Sequence, residues 1–281
     1  MPAVHEDLSA YRRDPLPLLG RTALVTGASR RAGIGYATAR RLVALGASVH
    51  LHHHVPHDAR QTYGADPDGP DALAADLRGL LADGARVTHG PADLTAPEAP
   101  ARLVDEAAQA LGGRLDILVA NHALNGRDGS LDAIDAGMLD AHWQTNTRST
   151  ILLVQAYARL RAAAGTGIPG GRVVLMTSGQ DLRGGMPHEI AYSLSKGALA
   201  SSVRSLATAL APAGVTVNAV NPGPVDTGYA DEESRALVAG LFPGGTWGTT
   251  DDPARLISWL ATDEAAWITG EVINSEGGFA R

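Results

Sequence analysis

Between residues 22 and 52 the chain reads as strand, glycine-rich turn, helix and strand. Thr22-Ala23-Leu24-Val25-Thr26 is a short apolar run of strand type. Gly27-Ala28-Ser29-Arg30-Arg31-Ala32-Gly33-Ile34-Gly35 follows directly, and Tyr36 to Leu45 carries a helical pattern closed by Gly46. Ser48 to His52 is the next strand. A βαβ unit of this kind implies a parallel sheet with right-handed crossovers. The turn has chemical meaning as well. Glycines let the backbone approach a diphosphate, and the N–H groups of the helix start favour negative charge.

The alternation continues along the chain. Helical patterns cover Asp71 to Asp83, Pro97 to Leu111, a long stretch from about Ala136 to Ala163, and a late segment around Leu256 to Leu260. Strand patterns cover Arg86 to His89, Asp116 to Ala120, Arg172 to Met176, Thr216 to Val220 and Glu271 to Asn274. The polar stretch His53 to Pro70, with three prolines, is a long loop for a compact domain. At 281 residues the chain has room for one large α/β domain or two small ones, and no linker divides it. We expect a Rossmann-like doubly wound parallel sheet of about seven strands with helices on both faces. It forms a single domain over residues 21–281, preceded by a surface arm over 1–20. Its ligand is expected across the carboxyl ends of the strands.

Composition narrows the function classes. There is no cysteine, which removes disulfides and thiolate chemistry. The net charge is −7 and no basic run stands out, which argues against a nucleic-acid partner. No apolar run approaches ~20 residues, so no membrane span is expected. The first residues, MPAVHEDLSAYRRDP, lack the apolar segment of a signal peptide. A cytoplasmic location is the expectation.

The stretch Arg172 to Ala200 carries candidate chemistry. Its strand ends in Thr177-Ser178, a glycine-containing loop follows, and a helix begins near Ile190 carrying Tyr192 and Lys196. Four positions apart, those two share one helix face. A free phenol has a pKa of about 10, and a nearby ammonium favours the phenolate. The Ser178 hydroxyl could hydrogen-bond a substrate oxygen beside the phenol. The alternative is a packed tyrosine and a solvated lysine. Lys196 is the only lysine in the chain, so the general preference for arginine is overridden at this position.

The motifs TGASRRAGIG at 26–35, DL at 93–94, NHA at 121–123, Asn146 in WQTN, Ser178, YSLSK at 192–196 and NPGPVDTG at 221–228 occur in this order. The chain thereby resembles the short-chain dehydrogenase/reductase family from about Arg21 to Phe279, most closely its bacterial 3-oxoacyl-carrier-protein reductase branch. The resemblance implies an oxidoreductase that moves a hydride between a nicotinamide dinucleotide and a ketone or secondary alcohol. By that resemblance Tyr192 is the general acid/base and Lys196 lowers its pKa and holds the nicotinamide ribose. Ser178 polarises the substrate oxygen, and Asn146 holds a water linking Lys196 to solvent. Gly27, Gly33 and Gly35, with Ser29 and Ile34, form the phosphate turn. Asp93 and Leu94 border the adenine, Asn121 and Ala123 line the groove, and Pro222, Val225 and Thr227 meet the nicotinamide end.

The chain departs from the family in two places. Five residues rather than three separate its first two turn glycines, and His122 stands where alanine is usual. His122 is read as a packing or hydrogen-bonding residue, with a second acid/base role or a substrate contact as the alternatives. The position at the end of the second strand, where an acid selects NAD through the ribose hydroxyls, is counted as His53. No acid occurs from Ser48 to His57. Arg30 and Arg31 could pair with a 2′-phosphate. NADP(H) is therefore favoured, with NAD(H) as the alternative. The run His52-His53-His54 raises metal binding, but adjacent strand residues point to opposite faces, and no metal site is expected.

By resemblance the substrate pocket is walled by the 179–190 loop, His122, Leu124 and a lid over 228–247. Candidate contacts are Gln180, Leu182, Met186, His188 and Tyr229. The expected partner is a small-molecule or carrier-bound carbonyl compound. The family analogy implies a homotetramer, with a dimer as the alternative. The competing functional reading is a non-catalytic dinucleotide-binding sensor or scaffold on the same fold.

Overall fold

The computed structural model of the chain describes residues 13–165, 170–180, 182 and 184–280. Seven strands form one sheet: β1 (Thr22–Val25), β2 (Ser48–His53), β3 (Val87–Pro91), β4 (Ile117–Ala120), β5 (Gly171–Met176), β6 (Val215–Asn221) and β7 (Val272–Asn274). Their spatial order is β3-β2-β1-β4-β5-β6-β7, and every neighbouring pair is parallel. The chain order reverses between β1 and β4, which pair as Ala23 with Ile117 and Val25 with Val119. At such a switch point the two strands lead their following loops apart and open a crevice at the carboxyl edge.

Successive strand residues face opposite sides, so the sheet builds two cores. Ala23, Val25, Val49 and Leu51 pack on one face with α1 (Ile34–Ala44), α3 (Gly69–Arg78) and α9 (Asp251–Leu260). Leu24, Leu118 and Ala120 pack on the other with α4 (Ala99–Ala110), α6 (Ser149–Ala164) and α7 (Ile190–Leu210). The doubly wound architecture is therefore as the strand–helix alternation predicts.

Four local features differ from expectation. Leu18, assigned to a surface arm, is fully buried and donates its N–H to Leu45 O at 2.9 Å. The Leu16-Pro17-Leu18-Leu19 run is apolar enough to cap the core beneath Gly46. Residues 1–12 lie outside the described residues. The 54–70 stretch contains a short helix, α2 (Val55–Asp58). The long helical region is α5 (Ala136–His142), a π-helical segment from Trp143 to Arg148, and then α6. The lid region contains α8 (Glu232–Ala239), capped by Asp231, which accepts the Ser234 N–H at 2.8 Å. No described helix is long and apolar enough to cross a membrane.

Candidate active site

A groove of about 490 Å³ follows the carboxyl edge of the sheet, and the glycine turn forms one wall. Gly27 adopts φ 67°, and a Cβ there would come within 2.7 Å of His122 Cα on the adjoining strand exit. A Cβ on Gly35 would lie 2.6 Å from Asn121 Nδ2. These two glycines thus let β1, α1 and the β4 exit converge, while Gly27, Ser29, Gly33 and Ile34 face the groove. Helix α1 starts after Gly33 with no side chain capping it. Its first N–H groups are oriented as a diphosphate cradle requires.

The two turn arginines diverge. Arg31 is held by Asp66 at 2.6 Å, Asp68 at 2.9 Å and Asp76 at 2.8 Å, and is drawn out of the groove wall. This corrects its expected phosphate role, because three carboxylates on the following loop and helix compete for it. Arg30 lies 3.9 Å over the Tyr63 ring, donates to Thr227 O at 3.0 Å and lines the groove.

The end of β2 requires a second correction. His53 turns to the face opposite the groove, where its Nε2 meets His89 Nδ1 at 3.3 Å. The strand runs one residue further than its apolar pattern shows, so the groove position falls to His54. His57, Asp58, Arg60 and Tyr63 continue that wall, which places one acid, Asp58, just beyond the acid-free stretch. His52 faces inward. Its Nδ1 accepts the Gly27 N–H at 3.1 Å and its Nε2 donates to Ala92 O at 3.0 Å. Burial pulls its pKa down to about 4, so the ring is neutral and the tautomer follows from these partners.

Asn121, at the exit of β4, donates from Nδ2 to Thr26 O and Gly27 O, both at 3.0 Å. His122 borders the groove, but both ring nitrogens are occupied. Nδ1 pairs with Thr26 Oγ1 at 2.8 Å and Nε2 with Ser149 Oγ at 2.7 Å. Burial, with His52 and Lys196 nearby, holds its pKa well below the usual histidine range. The substrate option for His122 is corrected accordingly: the ring rivets β1, β4 and α6 together. Asp93, Leu94 and Ala123 line the groove. Burial opposes the charge of Asp93, but bonds from Thr95 N and Oγ1 outweigh it and hold the carboxyl below its ordinary value.

At the other end Tyr192 and Lys196, one turn apart on α7, both enter the groove. Lys196 is buried and donates from Nζ to Met176 O at 2.8 Å, with Nζ 5.8 Å from the centre of the Tyr192 ring. Burial lowers its pKa to about 8. The phenol moves the opposite way: burial first, then Glu189 and Tyr229, push it above its usual value. The expected lowering by Lys196 is thus not what sets the phenol here: loss of solvent does, and the carboxylate of Glu189 adds to it.

Asn146 is fully buried in the π-helical segment. Its Oδ1 accepts the Leu124 N–H at 2.7 Å, and its Nδ2 donates to Leu124 O at 3.0 Å and Ser195 Oγ at 2.9 Å. It ties the β4 exit to α7 and makes no direct bond to Lys196. Ser178 is half-buried two residues past β5. Its neighbour Thr177 lines the groove at 3% exposure, and its hydroxyl has no partner among the described residues. A buried hydroxyl left over beside Lys196 is consistent with a polar ligand there. Pro222 and Thr227 also line the groove, whereas Val225 is buried in a bridge to Gly248.

The substrate candidates are more scattered. Gln180 donates to the Glu189 carboxylate, Met186 and His188 are exposed, and Tyr229 packs on Trp247 with ring centres 6.0 Å apart. Leu182 is exposed. Residues 181 and 183 of the same loop lie outside the described residues. Sequence reasoning missed Thr177, His54, Tyr63, Asp128 and His142. Asp128 and His142 contact the first turn of α7 from distant positions in the chain, a relation that no local pattern signals.

Comparison with known proteins agrees with this geometry. The family model described as Enoyl-(Acyl carrier protein) reductase matches residues 27–280. An uncharacterized oxidoreductase of Bacillus subtilis, YjdA, is 38% identical over 93% of this chain and 97% of its own length. Versicolorin reductase stcU of Emericella nidulans is 32% identical over 96% of this chain and 98% of its own. A short chain dehydrogenase from Burkholderia cenocepacia, solved in complex with NADP, is 34% identical and superposes with a TM-score of 0.79. The superposition covers 93% of this chain and 98% of that one. A glycine turn opening onto a crevice that ends in a Tyr–Lys pair, and matches over nearly the full length, lead to one conclusion: the chain belongs to the short-chain dehydrogenase/reductase family of oxidoreductases.

Proposed function

We propose that the protein reduces a ketone to a secondary alcohol at the expense of NADPH, with Tyr192 as the proton donor. The observation that carries this reading is the pairing of a half-buried Tyr192 with a buried Lys196 at one end of the groove whose other wall is the glycine turn. Bound nicotinamide dinucleotide supplies the hydride. The chain supplies position and the proton. The glycine turn and the start of α1 receive the diphosphate, Asp93 and Leu94 border the adenine, and Lys196 holds the nicotinamide ribose. Tyr192 gives its proton to the carbonyl oxygen, which the Ser178 hydroxyl orients. The phenol is protonated at neutral pH, as a proton donor to the carbonyl oxygen must be.

Preference for NADPH rests on Arg30 and Arg60 in the adenosine-end wall and on histidine, not acid, immediately after β2. Asp58 and Asp93 are the opposing charges at that end of the groove. The Burkholderia relative solved with NADP is consistent with this choice. Residues 21–281 act as the catalytic domain, and the partner is a carbonyl compound, free or carrier-bound.

The test is a titration of the purified protein and of Tyr192→Phe with NADPH and NADH, followed by turnover on a panel of ketones. Tighter NADPH binding by both proteins and turnover by the parent alone are expected. Tighter NADH binding removes the cofactor assignment, and turnover by Tyr192→Phe removes the proton-donor assignment.

A further inference from the structure

Helix α7 lacks a local N-cap. Glu189 occupies the capping position and makes no side-chain bond to the first turn. The cap arrives from 63 residues earlier in the chain. Asp128 Oδ1 accepts the Ala191 N–H at 3.0 Å, and Oδ2 accepts the Tyr192 N–H at 2.7 Å. These are the second and third helical positions, the two that a local N-cap side chain serves. The Asp128 side chain is only 3% exposed. Burial opposes its charge, but the N–H groups of Tyr192, Ala191 and Gly129 hold its carboxyl below the usual range. The positive end of a 21-residue helix acts in the same direction.

A second group holds the same residue. His142, the last residue of α5, is fully buried, and its ring stands edge-on to the Tyr192 ring at 6.0 Å and 89°. Its Nε2 lies 3.0 Å from Gly126 O and 4.0 Å from Asp128 Oδ2. One turn on, Asn146 bonds Ser195 Oγ, and that hydroxyl donates to Tyr192 O at 2.8 Å. The N–H, the carbonyl and the ring of Tyr192 are thus each held through the 126–128 loop and the α5–π-helical segment. The loop bends sharply to do so. Arg127 has φ 50°, the only positive φ at a non-glycine position among the described residues. Such a conformation persists only where its surroundings impose it.

The geometry points to Asp128 as a positioning residue for Tyr192: a cap supplied from a distant part of the same chain that sets where the phenol stands over the groove. This rests on the reading of Tyr192 as proton donor. A cap that merely stabilised the helix could be replaced locally, and a positioning residue could not.

The experiment compares Asp128→Ala, Glu189→Ser and the double variant, using NADPH and the ketone that the parent reduces best. The Glu189→Ser side chain can cap α7 locally, from the N-cap position itself. Asp128→Ala should lower kcat about a hundredfold, as expected for a misplaced reacting group. Its ketone KM and its NADPH Kd should stay within twofold of the parent. In the double variant Tm should recover and kcat should not. Recovery of kcat together with Tm would reduce Asp128 to a helix cap and overturn the proposal. Should Asp128→Ala not fold, Asp128→Asn keeps one acceptor for the two N–H groups of Ala191 and Tyr192, and kcat should fall with KM unchanged. Amide exchange at Ala191 and Tyr192 tests the clamp even if Tyr192 is not the proton donor. Acceleration in Asp128→Ala is expected, and unchanged exchange would overturn the proposal.

Discussion

The Arg30 guanidinium lies 3.9 Å above the centre of the Tyr63 ring, joining the enlarged glycine turn to the long loop after β2. Its Nη2 also reaches Thr227 O. Stacking fixes the plane of the guanidinium while leaving part of its donor edge for a ligand. Arg30→Ala should therefore weaken NADPH binding about tenfold or more, the scale of a charge-assisted bond, and leave NADH binding unchanged. Arg31→Ala should leave both within twofold, because its guanidinium is taken by Asp66, Asp68 and Asp76. Calorimetric titration with both dinucleotides checks the pair.

Lys196 makes the pH dependence of reduction predictable. Burial lowers its pKa to about 8, whereas the phenol of Tyr192 is raised. In ketone reduction kcat/KM should be flat below neutrality and fall as pH rises through about 8, as the ammonium proposed to hold the ribose is lost. The measurement is a kcat/KM profile with NADPH. A decline beginning only above pH 10 would separate Lys196 from the step.

The same shift has a stability sign. A lysine whose folded pKa lies below its unfolded value of 10.5 opposes folding where it must be charged. That penalty is fully present below about pH 8 and disappears as pH rises past the unfolded value. Lys196→Met should raise the thermal midpoint at pH 7, by up to about 3 kcal/mol of stability, while abolishing turnover. The gap from the parent should close between pH 8 and 10.5 in calorimetric scans.

Two glycines separate backbone conformation from crowding. Gly20 and Gly27 have φ 73° and 67°, but only Gly27 has neighbours within reach of a Cβ. Gly20→Ala should lose about 1–2 kcal/mol, the cost of a left-handed L-residue. Gly27→Ala should lose that and a further ~1–3 kcal/mol from overpacking against His122, together with dinucleotide binding. Chemical denaturation of both variants measures the difference.

Much of this protein was legible locally. Alternation of apolar runs and helical patterns located the seven strands to within about two residues, and the glycine spacing placed the turn at the groove. Tyr192 and Lys196 needed only helical periodicity to be paired. The errors share a cause. His53 was displaced by one residue because β2 extends beyond its apolar signal, and one step along a strand moves a side chain to the other face. Arg31 and Arg30 are adjacent and chemically equal. Only the carboxylates at 66, 68 and 76 and the Tyr63 ring, all far along the chain, decide which faces the groove.

The amino-acid sequence by itself determined the parallel α/β sheet, the glycine turn at the groove and the pairing of Tyr192 with Lys196, because each depends on local periodicity or spacing. Only the tertiary structure decided the phenol's environment and what holds it. Burial raises Tyr192 and lowers Lys196, and Asp128 and His142 reach Tyr192 from 64 and 50 positions away. Desolvation and a cap supplied from afar exist only once the chain has closed on itself, so no local pattern records them.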